Sequence, residues 1–253
     1  MVIETEGIVL RQTKTANGKK ILTLFTPKYG KISVSCNLAP SGKNKSSLYT
    51  RPFTYARYSI FKGKEMYSLN GAEVLESFYS IGEDFDKYVT ASYALELTEK
   101  LVFEDQPDIR LFNQLSAFLK ELSGRSSKYD TLLLAYMVKI MSILGIMPEL
   151  SHCMNCSTTI DIGEFFSASH GGMLCRRCAV QAIENDPNQL IYSTDFGIID
   201  TIRYFEKESL ETFRKVALSD AVEKRLKKIL LEYIKYHLDI GELKTENLDI
   251  KKL

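Results

Sequence analysis

At 253 residues, with 45% apolar and 26% charged content, the chain is long enough for one large domain or two to three small ones and can build a core without staples. A formal net charge of +1 selects no partner, but it conceals an asymmetry. From Gly7 to Lys64 there are twelve Lys or Arg residues and no Asp or Glu, whereas residues 81–253 carry 21 basic against 27 acidic side chains, a net of −6. The start of the chain, Met1 to Glu6, has neither the basic nor the apolar region of a secretory leader. The longest apolar stretch, Thr131–Met147, contains Lys139 and stops at Pro148. It is shorter than the roughly 20 residues of a membrane span, so it reads as a buried core helix and no membrane partner is expected. Five cysteines without an export signal indicate a reducing cytoplasm, where Cys-x-x-Cys pairs bind metal or do redox work.

The first eighty residues read as strands and turns. Gly7–Thr13 is a strand candidate, and the Asn-Gly of Ala16-Asn17-Gly18 signals a hairpin into Ile21–Thr26. Pro27-Lys28-Tyr29-Gly30 is a second turn. Ile32, Val34, Cys36 and Leu38 then alternate with polar residues at a period of two. Ala39–Ser47 is a loop; Phe53–Phe61 and Met66–Phe78 hold the last two strands, with Lys62-Gly63-Lys64 between them. Five short strands with tight turns suggest a small barrel. Cys36 falls on the apolar face of its strand and reads as a buried structural cysteine.

Beyond residue 80 the period becomes helical. Phe85–Phe103 and Tyr129–Met147 are helix candidates, the second apolar nearly all round. Leu111, Leu115, Phe118, Leu119 and Leu122 share one helical face. Asp108 can cap that helix and Gly124 can stop it. Thr194–Glu206 is a shorter candidate. Val222, Leu226, Ile229, Leu230 and Tyr233 repeat the helical spacing, with Ser219 or Asp220 as cap and a capping-box spacing from Asp220 to Glu223. The order is an α+β multidomain chain: a β-barrel domain over 1–80, then a helical domain over 81–253 that contains a cysteine-bearing insert over 151–180.

That insert carries Cys153-x2-Cys156, eighteen residues, then Cys175-x2-Cys178. The spacing is that of a four-cysteine zinc site. Each Cys-x-x-Cys turn aims two thiolates at one cation, and the second turn completes a tetrahedron with Zn–S distances of about 2.3 Å. One Zn2+ per chain is expected, and four protein ligands close its shell, so its role is structural. Gly171-Gly172 permits a tight turn before the second pair, and Arg176 and Arg177 offset thiolate charge. A redox role would use only one Cys-x-x-Cys pair, and a disulfide is disfavoured by compartment. His152 and His170 flank the site as alternative ligands.

In the acid-free stretch the candidate nucleic-acid contacts are Arg11, Lys14, Lys19, Lys20, Lys28, Lys31, Lys43, Lys45, Arg51 and Arg57, interleaved with Tyr29 and Tyr55. Cations that neutralise phosphates, with aromatic faces for bases, are what single-strand binding requires. Phe53, Tyr55 and Arg57 share one face of their strand and are the set expected to make contact. The alternative is a solubilising surface with core aromatics. Lys224, Arg225, Lys227 and Lys228 read as a solvated helix face. No phosphate loop, HExxH, GxSxG or dinucleotide fingerprint is present, so no enzyme is expected.

Several segments together carry a resemblance: Glu6-Gly7-Ile8-Val9-Leu10, the run from Leu22 through Thr26-Pro27-Lys28-Tyr29-Gly30-Lys31, Arg51-Pro52-Phe53, Gly145-Ile146-Met147-Pro148-Glu149-Leu150, and the four cysteines. In this combination, over essentially the whole chain, the sequence resembles the bacterial recombination mediator family RecO. The resemblance implies an N-terminal OB-fold, a helical domain and a zinc-finger insert. It also implies binding of single- and double-stranded DNA, strand annealing, and work with RecR and the single-strand DNA-binding protein (SSB) to load RecA, in the cytoplasm at the nucleoid. The sequence departs from the family pattern at Asn37–Lys45, where relatives carry a denser basic run, so contact is expected more from Lys28 and Lys31. A protein-interaction scaffold and an RNA-binding zinc-ribbon protein are the competing readings.

Overall fold

A computed structural model describes residues 1–36, 48–63, 66–160, 162–194, 197–216 and 218–248. Lys43, Lys45 and Lys64 lie outside the described residues. By backbone contacts the chain forms two compact units, residues 1–129 with 243–253, and residues 130–242.

The first unit begins with a barrel. Strands β1 (Val2–Lys14), β2 (Lys20–Thr26), β3 (Gly30–Cys36), β4 (Tyr55–Lys62) and β5 (Tyr67–Glu76) close in the order β1-β2-β3-β5-β4. The long β1 makes closure possible: its first half pairs with β4 and its second half with β2, both antiparallel, while β3 and β5 meet in parallel. This is the OB-fold expected from the sequence, and closure leaves no free sheet edge. Alternation puts Val9, Leu22, Leu24, Ile32, Val34, Ala56, Tyr58 and Ile60 in the interior. Burial of Tyr58 raises its phenol pKa, and its hydroxyl donates to the Tyr49 carbonyl at 2.8 Å. Cys36 packs partly buried against the same core, in keeping with a structural cysteine. The Asn-Gly turn forms as expected, with Gly18 at φ 76°. Gly30 is required where it stands, because its φ is 64° and a Cβ there would lie 2.2 Å from the Gln106 carbonyl oxygen.

The same unit contains α1 (Tyr79–Gly82), α2 (Phe85–Leu101) and α3 (Ile109–Gly124). Asp108 caps α3 as its sequence position suggests, accepting from the amides of Arg110 and Leu111 at 3.0 Å. Phe112 on α3 meets Phe25 and Tyr55 of the barrel edge-on at 5.5 and 5.9 Å. The contact between helix and barrel explains why this unit extends to residue 129.

In the second unit α4 (Tyr129–Leu144) buries every side chain from Thr131 to Val138, as its all-round apolarity predicts. Lys139 is only half-buried and donates to the Glu206 carbonyl. No helix among the described residues is long and apolar enough to cross a membrane. A small sheet of β6 (Phe165–Ser167), β7 (Gly172–Leu174) and β8 (Ile191–Ser193) runs in the order β7-β6-β8. Helices α5 (Arg176–Asn185), α6 (Ile198–Lys207) and α7 (Asp220–Leu238) follow. Phe205 and Phe213 pack at 4.9 Å, and Phe166 meets Tyr233 of α7 at 5.6 Å. The α7 cap is Ser219, which accepts from Val222 N. With Ser219 as cap, Asp220 is the first helical residue, so Glu223 lies one position past the reciprocal site of a capping box, and it accepts the Thr131 hydroxyl.

Candidate metal centre and nucleic-acid interface

The four cysteines converge. Their sulfurs all lie within 4.8 Å of one another, and none is in a disulfide. The first knuckle is closed by Ser157 N donating to the Cys153 carbonyl at 2.8 Å and Cys153 N to the Thr158 carbonyl at 2.9 Å. Met154 N ties it to β7 through the Met173 carbonyl at 2.8 Å. The second knuckle is the start of α5, where Cys175 is the N-cap and Cys178 sits in the first turn. Gly172 lets the chain close in: Glu149 pairs with β7 there, and a Cβ would lie 2.3 Å from its carbonyl oxygen. The Cys156 and Cys175 sulfurs are 3.8 Å apart. A tetrahedron with Zn–S bonds of about 2.3 Å requires S···S separations of about 3.8 Å, so the donor set fits a tetrahedral thiolate metal.

The polar surroundings favour thiolates unevenly. Burial opposes ionisation of Cys153, but amides of Cys175, Cys156 and Asn155 pointing at its sulfur hold its pKa down, to about 6. For Cys178 a hydrogen bond from Asn155 favours the thiolate, yet burial and the three neighbouring sulfurs prevail and push it up to about 11. Thiolates this close repel, and a cation is what lets all four ionise together. Arg177 hydrogen-bonds Cys156 and has its own pKa raised by that thiolate. Arg176 turns instead to Glu164, at 2.9–3.1 Å. His152 lies beside Glu149 and Ser151, and His170 beside Ser167; neither joins the cluster. Asn155 carries no signal in the sequence beyond its place inside the first Cys-x-x-Cys.

The candidate DNA contacts divide into groups. Lys14 pairs across the hairpin with Lys20, and Lys20 with Cys36. Val34 pairs with Tyr67, and Tyr67 with Lys62. Strand register thus gathers Lys14, Lys19, Lys20 and Lys62 at one end of the barrel. Lys28 belongs to the opposite end, on the β2–β3 turn. The side chains of Lys14, Lys19, Lys20, Lys28 and Arg51 make no hydrogen bond or ion pair among the described residues. Others are engaged: Arg11 binds Glu99 at 2.9 Å, Lys31 Nζ donates to the Glu99 carbonyl at 3.0 Å, and Arg57 binds Glu73 at 3.1 Å. Tyr29 packs against the barrel core. The face expected from Phe53, Tyr55 and Arg57 is not a stacking platform. Phe53 precedes the strand and is buried, and Tyr55 lies under Phe112 with its hydroxyl on Glu6. The period of two placed Tyr55 outside the barrel correctly; the helix covering that face left no trace in the period.

A closed OB barrel followed by helices that carry a four-thiol cluster defines a class of OB-fold proteins with a metal-binding insert. Residues 1–78 match the family model described as Recombination protein O N terminal, and residues 82–246 match Recombination protein O C terminal. The chain belongs to the recombination protein O family, RecO. It is 31% identical over 252 residues to a DNA repair protein RecO of Alkaliphilus metalliredigens, covering 100% of this chain and 99% of that one. It is 30% identical over 246 residues to the Thermoanaerobacter sp. protein of that name, covering 97% and 96%, and 30% identical over 234 residues to that of Bacillus pumilus, covering 92% and 88%.

Proposed function

We propose that the chain is a non-enzymatic recombination mediator in DNA repair. It binds single- and double-stranded DNA through the barrel domain, residues 1–80, and anneals complementary strands. With RecR and SSB it helps load RecA, in the cytoplasm at the nucleoid. The observation that carries DNA binding is the end of the barrel where the Lys14, Lys19 and Lys20 side chains stand without partners among the described residues. They are the cations most able to replace counterions on a phosphate backbone. The insert holds one Zn2+ on Cys153, Cys156, Cys175 and Cys178, where the metal fixes the fold and supplies no chemistry.

The deciding experiment is binding of a fluorescent single-stranded DNA oligomer across a salt series. Steep weakening with salt is expected. Replacing Lys14, Lys19 and Lys20 together by Ala should lower the salt slope by about 2 units for three single-strand phosphate contacts. An unchanged slope removes the hairpin from the interface. No binding at low salt favours the scaffold reading, and preference for RNA of the same sequence favours the RNA-binding one.

A further inference from the structure

Within the first unit, α2 does not pack flush on the barrel. Between them is an open cavity of about 600 Å³, within the size range of small-ligand sites. One stripe of α2 forms a wall, Tyr88, Ser92, Leu95, Glu96 and Glu99, and the small Ser92 at its middle leaves the gap unfilled. The barrel wall is irregular just there. A register shift in β1 between Val9 and Arg11 turns Leu10 and Arg11 toward the cavity. Phe53, also lining it, has φ 75°. A bulky side chain rarely adopts that conformation, and such strain gathers at ligand sites. It is held by Phe53 N on the Val9 carbonyl and Val9 N on the Thr54 carbonyl, both at 3.0 Å. Its ring meets Tyr88 edge-on at 5.5 Å.

The floor is apolar and aromatic, and the rim is charged. Arg11, Lys31, Lys100 and Lys244 line it against two carboxylates. Arg11 is paired with Glu99, Lys31 donates to the Glu99 carbonyl, and Glu96 accepts from the amides of Lys244 and Thr245 at 2.8 and 2.9 Å in the field of Lys100, so four cations stand against two carboxylates. The net cationic rim suits an anion attached to a flat apolar group. Arg11 also stands three residues along β1 from Lys14, about 10 Å in an extended strand, so the cavity continues the cationic hairpin.

We propose that this cavity receives one nucleotide of a bound single strand, its base against Tyr88 and its phosphate on the rim cations. The proposal rests on the DNA-binding reading above and specifies where one unstacked base goes. A strand that gives up a base here cannot keep that base stacked on its neighbour, which suits a protein that pairs exposed strands.

The probe is an oligothymidylate carrying a single 2-aminopurine. Binding to the whole protein should change the 2-aminopurine emission. Tyr88→Leu, at an exposed position, should abolish that change and weaken binding about tenfold while leaving the salt slope intact. Ser92→Leu, which fills the cavity, should do the same, and a thermal melt reports whether it folds. Binding with an emission change that survives in Tyr88→Leu overturns this proposal and leaves the DNA-binding reading standing. Absence of any binding overturns both. An acidic peptide that binds wild type but not Tyr88→Leu, with DNA emission unaffected by the substitution, assigns the cavity to a protein partner and overturns the proposal.

Discussion

The barrel and the cysteine insert solve the same problem with different means. The barrel's interior is a cluster of ten buried side chains, nearly all large and apolar, inside a sheet with no open edge. The insert's interior cluster is five residues, three of them cysteines, beside strands of three residues each. Helix α5 buries only Cys178 and Ala179. Apolar burial stabilises by roughly 25 cal/mol per Å², and a segment this short has little to bury. The barrel is therefore held by its own side chains, while the insert, on the function proposed above, depends on a metal.

The largest test is to remove that metal. Chelation, or Cys175→Ser, should release one equivalent of zinc and open residues 151–193 to protease, with the barrel still protected. Structural zinc contributes about 10 kcal/mol or more in comparable small sites, far beyond what the insert's apolar cluster can replace. A metal-free protein with an unchanged melt and an intact insert would mean that the two regions are held alike. Next come the two glycines where backbones nearly touch. Gly30→Ala should cost the barrel unit about 3 kcal/mol, since strain at φ 64° adds to the clash with Gln106. Gly172→Ala meets Glu149 and should instead appear as weaker zinc binding with the barrel melt unmoved. Smaller again is Asp108→Ala, which removes the α3 cap and should cost about 1 kcal/mol in denaturant unfolding.

Legibility in the sequence followed the kind of force at work. Where one face of an element is buried, period declares it, so the five strands and the faces of α3 and α7 could be read in advance. The cysteine cluster was legible because two Cys-x-x-Cys turns constrain geometry by themselves. The short strands β6, β7 and β8 and helix α5 were not, because three-residue strands have too few alternations to make a period and α5 is held by two thiols. The fates of the barrel cations were hidden for another reason. Arg11 and Lys31 meet Glu99, some seventy to ninety residues away in sequence, and only folding brings that acid to a stretch that contains none. The acid-free stretch is real, but part of it faces helix.

Acid offers the finest separation of the two regions, through Asp84 at the start of α2. Its carboxylate accepts from Lys87 N at 3.0 Å and from the Tyr129 hydroxyl at 2.9 Å. The Lys87 amide is the main reason its pKa lies below the usual value; burial opposes it and Tyr129 adds to it. Tyr129 in turn is pushed up to about 12, by burial and then by this bond. A folded pKa below the unfolded one means that the ionised form supports the fold. That support is complete above the unfolded value near 3.8 and is lost as pH falls through the lower folded value. Asp84→Asn keeps a cap but not the charge, so it should cost less than about 1 kcal/mol at pH 7 and nothing once the native carboxyl is protonated. In the insert, protons compete directly with metal for thiolates. Zinc release should therefore begin at a pH where Asp84 is still fully ionised. Parallel acid titrations of bound zinc and of barrel-unit stability should give two separate transitions, the metal first. Coincident transitions would join the regions into one cooperative unit and remove the distinction between a barrel that holds itself and an insert that a metal holds.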